Sequence, residues 1–120
     1  MSDYTLVNRE DESVEVFMGA FHKMRLALGT NAFGINEVTM PPGFEGPEHD
    51  EGDTGHEEVY IVLGGSGTAT VAGDAVPLRP GDYLRVGAGV TRQVAAGSDG
   101  LTFVAVGAKP KPEYDGRASL

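Results

Sequence analysis

The chain has 120 residues, 40% of them hydrophobic, with nine Lys and Arg against 18 Asp and Glu, a formal net charge of -9, and no Cys. That length holds one domain. The charge opposes nucleic acid or anionic lipid as partners. The lack of Cys excludes disulfides and thiolate chemistry and agrees with a cytoplasmic address. No apolar run approaches the ~20 residues that span a bilayer. The opening MSDYTLVNREDE lacks the basic-then-apolar order of a signal peptide, so a soluble protein without a leader is expected.

In chain order, residues 1–28 read as an N-terminal arm. Within it, Ala20 to Leu28 gathers helix formers, with Phe21, Met24 and Leu28 at i, i+3 and i+7 and Gly29 able to cap the end, so a short helix is expected there. Residues 29–109 are dominated by β signals. The runs Phe33 to Met40, Glu58 to Leu63, Thr68 to Ala72, Ala75 to Leu78, Tyr83 to Val86, Thr91 to Ala95 and Leu101 to Val106 carry β-branched or aromatic residues. Turn residues separate most of them. Gly64 to Gly67, Gly73-Asp74 and Gly97 to Gly100 can supply positive φ in hairpins, and Pro80-Gly81 suits the central pair of a type II turn. Short strands at this spacing indicate an all-β sandwich or barrel. The tail, 110–120, alternates Pro with polar residues and is expected to be extended or disordered, with Tyr114 able to dock. The run Val59 to Leu63 is apolar on both faces. A strand of that kind needs cover on both sides, so the outer face calls for the N-terminal segment or a second subunit, and a homodimer is expected.

Two blocks concentrate chemistry. Gly46 to Gly65 places His49, Glu51, His56 and Glu58 ahead of the apolar strand, and Pro80 to Arg92 lies downstream at a distance suited to a facing strand. His-x-Glu keeps the side chains of His49 and Glu51 on one face of an extended segment. By the same alternation Glu58 shares a face with Tyr60 and Val62 and enters the barrel, while Glu57 points outward. An unpaired carboxylate inside would be costly. Glu58 therefore needs a metal, a proton or a cation, and Arg92 is the natural cation. No Ser sits in a nucleophile elbow, and Gly64 to Gly67 lacks the Lys and Ser/Thr of a phosphate loop.

These blocks resemble the two motifs of the cupin superfamily. Glu58, six residues and Gly65 resemble the end of the first, and Gly81, Gly89 and Arg92 the second. The likeness runs over Phe33 to Gly107 and is nearest to small single-domain bacterial cupins. It implies a jelly-roll, or double-stranded β-helix, barrel with a small-molecule pocket inside. It also implies a divalent metal held by two His, a Glu and a further His. Here His49 takes the first position, Glu51 the second and Glu58 the third, with extra residues Gly52 to Gly55 in the loop. Arg92 takes the last, and a guanidinium offers a metal no lone pair.

Three functions stay open from this point. One is a binding module without tightly bound metal, whose ligand, such as a small carboxylate, meets Arg92, Glu58 and Tyr60. Another is a metal-dependent enzyme of oxygenase or isomerase type, in which His49, Glu51, Glu58 and His56 hold iron, manganese or zinc. The third is a structural or regulatory dimer with a vestigial pocket. His22 and Arg25 read as surface residues.

Overall fold

Two long antiparallel strands, β4 (Glu57–Val71) and β7 (Arg92–Ala108), pair along nearly their whole lengths and organise everything else. The computed structural model describes residues 3–114. Before this pair come β1 (Glu15–Phe17), β2 (Phe21–Lys23), a single-turn helix α1 (Met24–Leu28) and β3 (Gly34–Met40). Between its members lie β5 (Asp74–Leu78) and β6 (Tyr83–Val86). The order across the sheet is β1-β2-β3-β7-β4-β5, with β6 also on β4, and every pairing is antiparallel. The all-β architecture expected from the sequence is present.

The register sets the inward face. Tyr60 lies beside Ala105 and Leu84, Val62 beside Phe103, and Val38 beside Phe103 on the other side. These alternate residues, with Met40, Val86, Val94 and Leu101, form the buried core. The intervening Ile35, Val59, Ile61, Val104 and Val106 are half-buried on the outer face. The N-terminal segment touches this face where Arg9 donates to Glu37 at 2.7 Å.

Four short strands expected from the sequence are halves of two long ones. Gly64 to Gly67 and Gly97 to Gly100 do not turn the chain back; β4 and β7 continue through them, with register irregularities between Val62 and Gly64 and between Gly65 and Gly67. Gly65 has φ +80°, and a Cβ there would collide with the Gly100 carbonyl, so the strands bend at a contact closed to any side chain. The other turns follow their residues. Asp82 N–H bonds the Arg79 carbonyl at 3.1 Å across Pro80-Gly81, with φ +92° at Gly81, as a type II turn requires. Ala72 and Gly73, both at positive φ, form the two-residue loop between Val71 and Asp74.

The helix expected over Ala20 to Leu28 is confined to Met24–Leu28, closed by Gly29 at φ +75°. Phe21 to Lys23 is strand, paired with Asn36 to Val38. So short a helix has little stability of its own. The sheet edge of β3 and the contacts of Phe21 with Phe17 and Phe44 take those three residues instead. The arm thus adds two strands to the sheet. Tyr114 is 67% exposed and does not dock, and residues 115–120 of the tail lie outside the described residues.

Candidate functional site

The segment Phe44 to His49 runs along the free side of the first half of β7 and brings the two sequence blocks together. Ala96 N–H bonds Phe44 O at 2.8 Å and Gly46 N–H bonds Val94 O at 2.9 Å. His49 and Arg92 exchange both backbone hydrogen bonds, at 2.8 and 2.9 Å. Directly paired residues send their side chains to the same face. His49 and Arg92 therefore meet Glu58, which β4 turns inward beside Gly107.

Glu58 is the hub. Its Oε1 accepts from the Tyr60 hydroxyl at 2.8 Å and from Arg92 Nη1 at 3.4 Å. Arg92 is completely buried. Its Nη2 donates to Gly87 O at 2.8 Å, and its Nε is left without an acceptor. Burial, reinforced by the neighbouring Glu58 carboxylate, holds the Tyr60 phenol well above its ordinary value, so Tyr60 is a fixed donor. Its ring stacks edge-on against Phe103 at 5.5 Å.

His49 Nε2 lies 3.4 Å from Glu51 Oε2 and 4.0 Å from Glu58 Oε1. Its Nδ1 is 3.2 Å from Pro47 O. Carbonyl and carboxylate oxygens only accept, so both ring nitrogens of His49 face acceptors. Glu51 is held by its N–H to Ala88 O at 2.7 Å and by the Thr54 hydroxyl on Oε1 at 3.3 Å. One donor atom from each of His49, Glu51 and Glu58 falls within 4.8 Å of the others. This is the donor chemistry of a manganese, iron or zinc site with open positions. His56 is not part of that group.

Two adjoining cavities open onto these groups. The first, of about 270 Å³, has walls of Phe17, Phe21, Val38, Met40, Val94 and Phe103 and ends at His49, Glu51, Glu58 and Tyr60. The second, of about 330 Å³, is more polar and includes Glu15, Arg25 and His56, and it shares Lys23, Asn36, Glu51 and Glu58 with the first. Arg92 lines neither; it stands behind Glu58 rather than in the cavity with it. A carboxylate ligand placed against Arg92, one of the sequence expectations, would have to displace Glu58. Arg25, read as a surface residue, lines the second cavity. The sequence offered one signal for it: Lys23 and Arg25 are the only Lys or Arg between Arg9 and Arg79.

The cupin domain family model matches residues 36–107. No curated protein matches the sequence. Among solved structures, a cupin protein from Bacteroides fragilis is 25% identical, with 96% of this chain and 92% of that one covered at a TM-score of 0.77. An RmlC-like cupin from Shewanella frigidimarina is 20% identical, with 92% and 95% covered at 0.71. The family match spans β3 through β7, the strands that carry Glu58 and Arg92, and on it the chain belongs to the cupin family.

Proposed function

We propose that this cupin binds a small organic molecule inside its barrel, the apolar body against Phe21, Met40 and Phe103 and a polar group toward Glu58 and Tyr60. One observation carries the reading: an apolar-walled cavity that closes on four convergent polar side chains, the usual form of a ligand site. Arg92 contributes by neutralising Glu58 from behind, so that carboxylate has a counter-charge without a metal. Titration with the neutral probe 3-phenylpropanamide, followed by amide NMR, tests this. Saturable shifts at Val38, Tyr60 and Phe103 are expected; no shift at those amides would overturn it.

A second reading is supported by the approach of His49, Glu51 and Glu58. These three residues would hold a divalent ion, which when bound supplies a Lewis acid at the polar end of the cavity. Glu58 Oε1 already receives two donors and the fourth family position is Arg92, so the affinity we propose is weak. His56, on the second cavity, stands outside that group.

The outer sheet face supports a homodimer. Ile35, Val59, Ile61, Val104 and Val106 form a continuous apolar patch across β3, β7 and β4, with Tyr83 of β6 73% exposed at its margin. A cytoplasmic address rests on the lack of Cys alone.

A further inference from the structure

We infer that the second cavity is an anion subsite, so that the ligand of this cupin carries a carboxylate or phosphate group bound by Lys23 and Arg25. The inference rests on the proposed small-molecule site and adds to it the chemical class of the ligand.

The cavity has a built floor and a charged rim. On its floor, Gly34 and Gly107 are paired across β3 and β7, and Glu58 is the next residue in the same row on β4. A Cβ on Gly34 would stand 3.6 Å from Gly107 O, in ordinary contact, so the space above it is free only because no side chain fills it. Around the rim stand Lys23, Arg25, Asn36 and His56, all partly buried and all able to donate hydrogen bonds.

The charges of this rim are unequal in their partners. Glu58 is paired with Arg92 and Tyr60, and Glu51 contacts His49 and Thr54. Among the described residues, neither Lys23 nor Arg25 has an ion-pair partner. Lys23 Nζ lies 5.4 Å from the centroid of the Phe17 ring, and Arg25 donates only to the Thr30 carbonyl at 3.3 Å. Glu15 also lines this cavity and is opposite Lys23 in the register; it is exposed on an edge strand and, among the described residues, forms no ion pair. Two half-buried cations stand against one exposed carboxylate without an ion pair, Glu15, so the unpaired charge of the cavity is positive by one. The chain's net charge of -9 does not reverse this, because charges beyond about 8 Å are largely screened at physiological salt. Because Glu51 and Glu58 line both cavities, one ligand can place its anion over Gly34 and its body against Phe103.

The test is titration of the chelator-treated protein with inorganic phosphate and, separately, acetate at constant ionic strength, read at the amides of Gly34, Ala105 and Gly107. Saturable shifts are expected, with affinity about tenfold or more weaker in the double variant Lys23→Met, Arg25→Met. Gly34→Val, which fills the floor without changing charge, should weaken binding as well and serves if the double variant is poorly folded. Arg85→Met, on the outer face, should change nothing. A response to phosphate alone assigns a phosphate group, and a response to acetate alone or to both assigns a carboxylate. Absence of saturable shifts with either anion, or equal affinity in the wild type and both cavity variants, would overturn the inference. Binding of 3-phenylpropanamide to the wild type separates this failure from failure of the pocket itself.

Discussion

His49 and Arg92 exchange both of their backbone hydrogen bonds, so a residue of the first family motif and a residue of the second are locked side by side across the barrel wall. This pairing brings the His49 imidazole to 4.0 Å and the Arg92 guanidinium to 3.4 Å from the same oxygen of Glu58. The site is therefore a carboxylate held between a solvent-facing imidazole and a sealed cation, and most consequences concern how these two compete for it.

Removing Glu58 leaves the Arg92 charge in a place water does not reach, and removing Arg92 leaves the Glu58 carboxylate largely desolvated without its counter-charge. Arg92 is wholly buried and the Glu58 side chain is 17% exposed. Glu58→Gln or Arg92→Met should each cost about 2–4 kcal/mol in urea denaturation. The double variant should cost less than the sum by at least about 1 kcal/mol, because the intact pair also carries a desolvation penalty and an unmet Arg92 Nε. Additive losses would show that the two side chains act independently.

Metal affinity should rise when Arg92 is replaced. Arg92→His removes a positive charge beside the ligand oxygens and restores an imidazole, so calorimetric titration with manganese or zinc should show binding at least about tenfold tighter than in the wild type. His49→Ala should abolish it in both backgrounds. Wild-type protein that retains one tightly held metal per chain through purification without added metal would contradict this ordering.

Alkaline stability should report on Tyr60. Folding raises its pKa, so its contribution is fully present below the ordinary value of 10.0 and is lost as pH rises beyond it. Stability should fall above about pH 10 by up to ~1.4 kcal/mol per pH unit from this group. Tyr60→Phe should cost about 1–3 kcal/mol at neutral pH through the lost bond to Glu58, and the gap should narrow as pH rises above 10. A constant gap would show that Tyr60 titrates alike in both states.

The outer sheet face should mediate self-association. Sedimentation at micromolar concentrations is expected to give a dimer mass, and Val104→Lys, a charge at the centre of the patch, should shift it to monomer while leaving the β circular dichroism unchanged. A monomer mass for the wild type would overturn this, since Tyr4 and Leu6 of the N-terminal segment are exposed and do not cover that face.

The parts of this molecule legible in the sequence are those set by local period and turn chemistry. Alternation along Glu58, Tyr60 and Val62 places all three on the inward face, and Pro80-Gly81 specifies its turn, because neither depends on what lies across the barrel. The two family motifs likewise identify His49, Glu51, Glu58 and Arg92 as neighbours. Other features needed the closed structure. Whether Gly64 to Gly67 turns or bends a strand depends on the contact of Gly65 with Gly100, residues far apart in the chain. Phe21 to Lys23 has a helical pattern, but the edge of β3 offers it backbone partners that a single turn of helix cannot match. That pairing carries Lys23 and Arg25 to the cavity, and the register of His49 against Arg92 seals the guanidinium behind Glu58. Pairing between distant segments is a property of chain closure, which no local pattern encodes.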